Sequence, residues 1–248
     1  MIAVLLVLAL VAAWEAYAQL SGLDEFVLPA PSAVVATLHE DRALLWSNFT
    51  VTAGEIGLGI LAALVLGLAF SVAIHFSAPL RRALYPLLIG SQTIPIVLVA
   101  PLLVAWWGFG LTPKLAIVAL VCFFPIVVST LDALDRVNPE LRKLMRTFGA
   151  SRWQTFRIVE APAALPGVLT GAKLSVAVAS IAAIFAELAG SEEGLGNLML
   201  KAIPQFQTAR AFASVLILSA FAVALFGLLA LAERRLLPWA HRSEGATT

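Results

Sequence analysis

Six apolar stretches constrain this chain more than any other feature of its sequence. They cover residues 1–18, 53–74, 84–105, 115–131, 167–190 and 211–232. A helix needs about 20 mostly apolar residues to cross a bilayer, and the backbone polar groups of such a segment must be satisfied within it. We therefore expect an all-α integral membrane protein whose fold is a bundle of six transmembrane helices.

Composition agrees with a membrane protein and excludes several kinds of site. The mean hydropathy of the 248 residues is +0.96, and 12% of them are charged, against about 25% in a soluble domain. Cys122 is the sole cysteine, which excludes intrachain disulfides and cysteine-cluster metal sites. His39, His75 and His241 lie in separate connections on both sides of the predicted membrane, so we expect no metal site.

Motifs for nucleotide chemistry are missing from the sequence. It holds no G-x-x-x-x-G-K-[ST] phosphate loop. The stretch GLGILA at 57–62 formally fits a dinucleotide-binding pattern, but it lies inside an apolar stretch with no preceding strand. No catalytic constellation emerges, so we expect no cofactor and no enzyme activity in this chain.

Lysine and arginine in the connections predict the orientation, because cytoplasmic loops carry an excess of both. An internal N-terminus places eleven of them inside: Arg81, Arg82, Arg136, Arg142, Lys143, Arg146, Arg152, Arg157, Arg234, Arg235 and Arg242. The outer segments then hold four: Arg42, Lys114, Lys201 and Arg210. We expect both termini inside, a multi-pass protein of the cytoplasmic (inner) membrane, and a cytoplasmic tail over 236–248.

Residues 1–45 form a predicted N-terminal unit of one span and an outer linker. Ala16-Tyr17-Ala18 matches the pattern of a signal-peptidase site, but no positively charged segment precedes the apolar run, so we expect a retained span. In the linker, Pro31 and Ser32 precede an apolar series, which predicts a short amphipathic surface helix. This linker and the outer connection between the last two spans either meet an external partner or are solvated connections.

Polar residues at membrane depth mark two spans. The third span carries Gln92, Thr93, Pro95 and Pro101, which favours either the lining of a water-filled path or a structural kink. Glu187 lies near the outer end of the fifth span, where it is either functional or simply solvated. Glu55 and Glu15 lie near span ends, and we interpret them as interfacial.

Two spans carry small residues four positions apart, which lets helix backbones approach closely. They are Gly59, Ala63 and Gly67 in the second span and Ser175, Ala179 and Ala183 in the fifth. This spacing fits tight packing within the bundle or across a dimer.

The cytoplasmic connection 132–161 begins with a predicted amphipathic helix. Asn138 fits the N-cap and Pro139 the first helical position. Apolar residues fall on one stripe and basic residues on the other face: Leu141, Leu144, Met145 and Phe148 against Arg142, Lys143 and Arg146. Gly149 fits the C-terminal cap of this helix.

A second short helix is predicted directly after Gly149. Ser151-Arg152-Trp153-Gln154 forms a capping box, and Pro162 and Pro166 lie where this helix meets the fifth span. Trp153 and Phe156 are then available for docking. The pair of helices either lies on the inner leaflet or docks a cytoplasmic protein. Nothing surrounds the pair to form a DNA-binding domain, so we expect no nucleic-acid partner.

This connection resembles the cytoplasmic loop of binding-protein-dependent ABC importer permeases. Their pattern is E-A-A, three residues, Gly, nine residues, then I-x-L-P. Gly149 takes the glycine position, Val159 the isoleucine position and Pro162 the proline position. The E-A-A triplet is replaced by Lys143-Leu144-Met145.

The replacement of this triplet affects the expected contact with the ATPase subunit. In the family the acidic residue of the triplet helps to contact the ATPase subunit. The resemblance therefore implies that Arg142, Lys143 or Arg146 rearranges this contact.

The resemblance extends over residues 46–235 and is strongest to the nitrate/sulfonate/taurine type of importer. SQTIPIVLVAPLLVAWWGFG, FGASRWQTFRIVEAPAALPGVLTG and AELAGSEEGLGNLM are similar to segments of that group. CFFPIVVSTLDAL and LMRTFGASRW resemble most the permeases for thiamine-pyrimidine precursors or riboflavin-like compounds.

The resemblance implies a type I ABC importer permease domain that translocates a small organic nutrient. Its partners would be cytoplasmic ATPase subunits, an extracytoplasmic substrate-binding protein and a second permease chain in a homodimer. We assign ATPase coupling to Gly149, Ala150, Ser151, Arg152, Phe156 and Pro162, and the translocation path to Gln92, Thr93 and Glu187. The alternatives are a secondary transporter or channel driven by an ion gradient, which needs intramembrane acidic pairs or inverted repeats, and a membrane enzyme.

Overall fold

The computed structural model describes residues 2–239, and this part of the chain contains helices and no strand. In chain order the helices are α1 (Ile2–Leu20), α2 (Pro31–Glu40), α3 (Arg42–Phe76), α4 (Ala78–Ser91), α5 (Ile96–Trp107), α6 (Leu111–Asp135), α7 (Pro139–Thr147), α8 (Arg152–Thr155), α9 (Ala161–Gly190), α10 (Leu195–Ala202) and α11 (Thr208–Leu236). A π-helical turn, Phe156–Glu160, joins α8 to α9, and a 3-10 turn, Ile203–Gln205, follows α10. The all-α prediction is confirmed, and residues 240–248 of the predicted tail lie outside the described residues.

The centre of the bundle is α6, which packs against α3 on one side and α9 on the other. Their buried residues form one apolar core that includes Ile56 and Ile60 of α3, Val118 and Ile126 of α6, and Val176 of α9. Only 6% of the apolar stretch of α11 is buried, and the rest is half-buried or exposed, so this helix lies at the edge of the bundle.

Small residues allow these three helices to approach closely, as their spacing predicts. A Cβ atom at Gly59 of α3 would lie 2.5 Å from Cγ1 of Val118, and one at Gly67 would lie 2.9 Å from Cγ2 of Ile126. On α9, Ser175 donates a 3.0 Å hydrogen bond to the carbonyl of Cys122 on α6. The small residues therefore pack within the bundle.

Within residues 2–239, four helical segments are long and apolar enough to cross a membrane: 42–76, 111–135, 152–190 and 208–236. The α4–α5 pair is a fifth candidate if it counts as one bent span, and α1 is a shorter apolar helix. The number of six spans and the internal position of both termini stay predictions.

The third predicted span, 84–105, is not one straight helix, and this corrects the prediction. It divides into α4 and α5, which meet at an angle of 101°. Pro95 has no N–H, and it disfavours helical geometry at the residue before it, so the i→i−4 ladder ends there. Three successive tight turns replace the ladder, from the N–H groups of Gln92, Thr93 and Ile94 to the carbonyls three residues earlier.

The N-terminal unit contains the predicted surface helix, α2. Glu15 near the end of α1 accepts hydrogen bonds from the N–H of Ser32 at 2.9 Å and from its hydroxyl at 2.7 Å. Trp14 packs against Phe212 of α11 with ring centroids 5.7 Å apart. These contacts hold the first turn of α2 beside the end of α1.

Candidate functional site

The amphipathic helix predicted in the cytoplasmic connection is present as α7. Its N-cap is Asn138, whose side-chain oxygen accepts the N–H of Glu140 at 2.8 Å. No residue of α7 is buried, and Leu144 and Phe148 are 50% and 77% exposed. The apolar stripe and the basic face are therefore mostly uncovered within the described chain, with Arg142 and Met145 half-buried.

Gly149 ends this helix in the conformation that the sequence predicts. Its φ is +74°, in the region that favours glycine. The N–H of Ala150 bonds to the carbonyl of Met145, and the N–H of Gly149 bonds to the carbonyl of Arg146, both at 3.0 Å. This pair of bonds is the Schellman arrangement, which turns the chain sharply at the helix end.

The predicted capping box opens the next helix. The N–H of Gln154 donates to the hydroxyl of Ser151 at 3.2 Å, and the side chain of Gln154 accepts the N–H of Ser151 at 2.7 Å. From here the chain is helical without interruption to Gly190, so the second short helix is the N-terminal end of the fifth predicted span.

A π-helical turn marks the passage from α8 into α9. The N–H of Ala161 bonds to the carbonyl of Phe156, five residues earlier. Pro162 follows directly, lacks an N–H, and would clash with the carbonyl four residues before it in a regular helix. The wider turn accommodates the proline, so α8 and α9 remain one continuous helix.

Within this turn, Glu160 forms a junction between four elements. It is 7% exposed; Oε2 lies 2.7 Å from Nε2 of His75 on α3, and Oε1 lies 2.6 Å from Nε of Arg142 on α7. The Nε–H of Arg142 does not point along that line, so the contact is a charge pair rather than a directed hydrogen bond. Nη2 of Arg142 also donates a 2.6 Å hydrogen bond to the carbonyl of Leu134 on α6.

Aromatic side chains pack beside this junction. Phe156 lies against Phe76 at 5.3 Å, against His75 at 5.7 Å and against Trp153 at 5.4 Å between ring centroids. Arg152 lies over the ring of Phe76 at 5.5 Å. Phe156 is 8% exposed, so the prediction that it is available for docking was wrong, whereas Trp153 is 57% exposed. The inner position of Phe156 fixes α8 on the end of α3.

A basic cavity of about 210 Å³ opens beside the junction. Three arginines and a histidine line it together with one carboxylate: Arg142, Arg146, Arg152, His75 and Glu160. Gly149, Ser151 and Arg152 are exposed near this opening, and Ala150 and Pro162 are half-buried. Of the predicted coupling residues, Ala150 and Arg152 line this cavity and Phe156 is buried, and the assignment of the six residues to ATPase coupling stays a prediction.

The predicted path residues lie in two different surroundings. Gln92 and Thr93 are exposed at the break between α4 and α5. Glu187 is fully buried, and its carboxylate accepts hydrogen bonds from Thr52 on α3 and from the N–H groups of Gly196 and Asn197 on α10. Glu187 is therefore not simply solvated, and the assignment of all three residues to the path stays a prediction.

A second buried carboxylate lies at the outer end of the bundle. Glu55 is 1% exposed and accepts a 2.7 Å hydrogen bond from Nζ of Lys114 on α6. The same ammonium donates to the hydroxyl of Ser191 at 2.5 Å. Glu55 is therefore buried in an ion pair, which compensates the burial of its charge, and its position at the membrane interface stays a prediction.

The sequence from residue 45 to 238 matches the family described as binding-protein-dependent transport system inner membrane component. The chain belongs to this family. This permease is therefore the inner-membrane component of an ABC importer, which decides against a secondary transporter or a channel driven by an ion gradient.

Individual relatives agree with the family assignment. The permease is 35% identical to the formylaminopyrimidine transport permease protein ThiX of Halalkalibacterium halodurans, over 94% of this chain and 93% of that one. It is 36% identical to the riboflavin transport system permease protein RibX of Chloroflexus aurantiacus, over 91% of this chain and 85% of that one. A crystal structure of an amino acid ABC transporter matches with a TM-score of 0.64 at 18% identity, over 81% of this chain and 97% of that one. The last likeness shows a shared fold.

The sequence analysis did not identify the residues whose contacts join α3, α7 and the π-helical turn. His75 and Glu160 are separated by 85 positions, and their pairing is a tertiary contact that no local pattern encodes. One signal was present, since a carboxylate between Val159 and Ala161 at the entrance of an apolar span requires a partner when buried.

Proposed function

We propose that this permease imports a small organic nutrient, with a pyrimidine precursor of thiamine or a riboflavin-like compound as the favoured cargo. Two copies of the chain enclose the path as a homodimer, a binding protein delivers the cargo outside, and separate ATPase subunits hydrolyse ATP inside. Sulfonates, taurine and nitrate are the alternative cargoes. The similarity to relatives named for formylaminopyrimidine and riboflavin supports the favoured cargo.

The observation that carries the coupling part of this proposal is the geometry around Gly149. An exposed helix, α7, and the cytoplasmic end of a 39-residue continuous helix meet at this one glycine. A protein that binds α7 and α8 from the cytoplasm pulls directly on a span. Such a rigid connection converts a displacement of the loop into a tilt of the helix.

The character of the surface favours a protein partner over lipid alone. Leu144, Phe148 and Trp153 are half to three-quarters exposed, which suits an apolar groove. The basic cavity beside them suits carboxylates on the rim of that groove. The basic surface agrees with the replacement of the family's acidic triplet by Lys143-Leu144-Met145. In the contact between the two proteins, the cations then lie on the permease and the anions on the ATPase.

Co-purification tests the assignment of α7 as the docking helix. The permease is expressed with candidate ATPase subunits, and the doubly substituted variant Leu144→Asp, Phe148→Asp is compared with wild type. We expect the ATPase to be lost from the variant while the permease still reaches the membrane. Leu23→Asp, at an exposed leucine of the predicted outer linker, serves as the matched control and retains the ATPase. An undiminished yield of ATPase with the double variant contradicts docking on α7.

Substrate-stimulated hydrolysis tests the cargo. The assembled complex is given candidate binding proteins loaded with a formylaminopyrimidine, riboflavin, taurine or an alkanesulfonate. The proposal predicts stimulation by the pyrimidine or the riboflavin-like compound. Stimulation by taurine or a sulfonate alone replaces the favoured cargo and leaves the docking assignment intact.

A further inference from the structure

The attachment of α7 to the membrane spans depends on few contacts. None of its residues is buried, so apolar packing contributes little to holding it in place. Asn138 and Thr147 bond only within the helix or its cap. Arg142 is the residue of α7 that bonds to other elements, at the carbonyl of Leu134 on α6 and at Glu160.

Glu160 extends that attachment to two further spans. Its backbone belongs to the π-helical turn that continues into α9, and its second carboxylate oxygen contacts His75 in the last turn of α3. The helices α3, α6 and α9 are the ones that form the packed centre of the bundle. One carboxylate and one guanidinium therefore connect the exposed helix to all three central spans.

The side chains around Glu160 are mostly cationic or able to carry a positive charge. Arg142, Arg146, Arg152 and His75 line the adjoining cavity, and Glu160 is the one carboxylate among the described lining residues. Removing one partner of a buried pair leaves the other charge uncompensated, which is more costly than losing an exposed pair. The described lining of the cavity therefore offers no second carboxylate that could replace Glu160.

We propose that Glu160 is a positioning residue that, together with Arg142, ties α7 to α3, α6 and α9, so that movement of α7 is passed to the three central spans together. This inference rests on the proposed function of α7 as the helix that binds the ATPase. In the absence of the Glu160 carboxylate the partner still binds α7, but its motion reaches the spans only through the turn at Gly149 and the bond from Arg142 to Leu134. Binding and coupling are then separated.

The first test needs no partner. Amide hydrogen exchange is measured on the permease in lipid nanodiscs for wild type, Glu160→Gln and Asp135→Asn. Asp135 forms an exposed cytoplasmic ion pair with Arg81 that does not involve α7, so it is the matched control. We expect exchange over residues 139–147 to be about tenfold faster in E160Q and unchanged in D135N. Equal protection of α7 in wild type and E160Q overturns the proposal.

The second test measures coupling in the assembled transporter. In E160Q we expect the ATPase subunits to remain bound and basal hydrolysis to continue, while the stimulation by loaded binding protein falls about tenfold. Wild-type stimulation in an assembled E160Q complex overturns the proposal. If wild type binds no ATPase subunit, the proposed function fails, and hydrogen exchange still decides the role of Glu160.

A second variant covers the case in which E160Q does not accumulate in the membrane. Arg142→Gln changes the other side of the pair on an exposed helix, where the fold depends on it less. It is expected to give the same faster exchange of α7 and the same loss of stimulation. Combining R142Q with E160Q is expected to give less than the sum of the two effects, because both substitutions break the Arg142–Glu160 pair while each also breaks one contact of its own. Additive effects of the two substitutions contradict a shared joint.

Discussion

The hydroxyl of Thr52 on α3 donates a 2.5 Å hydrogen bond to Glu187 on α9, 135 positions later in the chain. The same hydroxyl oxygen accepts the N–H of Leu195 at 2.9 Å, at the first residue of α10. The other carboxylate oxygen of Glu187 accepts the N–H groups of Gly196 and Asn197 at 2.7 and 3.1 Å. Glu187 and Thr52 together bind the free N–H groups at the start of α10 and hold the outer connection onto the bundle.

Glu187→Gln is expected to loosen this outer connection. The amide keeps one acceptor oxygen and replaces the other with a donor, so at least one of the three hydrogen bonds to this side chain is lost, and we expect the free energy of unfolding to fall by about 1–3 kcal/mol. Thermal unfolding in detergent and proteolysis of residues 191–207 measure the effect. Glu192→Gln, at an exposed carboxylate of the same connection, is the control and changes stability by less than about 0.5 kcal/mol. Equal behaviour of the two variants contradicts this role of Glu187.

Gly194→Ala is expected to be more harmful than its size suggests. Gly194 has a φ of +115°, and an added Cβ atom would overlap the carboxylate of Glu187. With a ψ of 157°, this backbone conformation is open essentially to glycine alone and costs about 1–3 kcal/mol for an L residue. We expect reduced thermal stability in detergent, and Gly57→Ala, where nothing lies within 4 Å of the new Cβ, serves as the control. Glu187→Ala removes the carboxylate that the new Cβ would overlap, so G194A is expected to cost less stability in that background. An equal loss of stability from G194A with and without the Glu187 carboxylate argues against the overlap.

Substitutions of Gly149 separate its backbone conformation from its contacts. An added Cβ at this position meets nothing within 4 Å, so only φ matters. Gly149→Asn tolerates a positive φ and is expected to transport nearly as wild type. Gly149→Pro fixes φ near −65° and removes the N–H bonded to Arg146. We expect G149P to reach the membrane and bind nucleotide-hydrolysing subunits while uptake falls several-fold; normal uptake by G149P refutes the coupling assignment.

Gly171→Val tests the close approach of α6 and α9. A Cβ at Gly171 would lie 2.9 Å from Cα of Ile126 and from the carbonyl oxygen of Pro125, so the helices must separate. Overpacking of this kind costs about 1–3 kcal/mol. We expect less folded permease in the membrane, measured by fluorescence-detected size exclusion. Gly227→Val on α11, where the new side chain meets nothing within 4 Å, is the control; equal yields of the two variants contradict the packing.

Local signals explain which parts of this architecture could be predicted from the sequence. Asn138, Gly149 and Ser151 each act on backbone groups within five positions, so the caps of α7 and α8 follow from residue type and spacing. The all-α class follows in the same way from the length of the apolar stretches.

Other parts depend on contacts that no local pattern contains. Gln92, Thr93 and Pro95 signalled a disturbance in the third span, but a bend of 101° is an outcome of packing as well as of proline. The burial of Glu55 and Glu187 depends on Lys114 and Thr52, which are more than 50 positions away from them. An ionisable residue near the end of a span is either solvated or paired, depending on which residue packs against it. That residue can be far away in the sequence, so no local pattern identifies it.

ATP-dependent uptake into proteoliposomes tests the central claim most directly. The permease is reconstituted with a candidate ATPase and binding protein, and uptake of labelled formylaminopyrimidine or riboflavin is followed with and without ionophores. We predict uptake that requires ATP and all three components and that survives collapse of the ion gradients. Uptake by the permease alone, driven by an ion gradient and indifferent to ATP, would contradict the account.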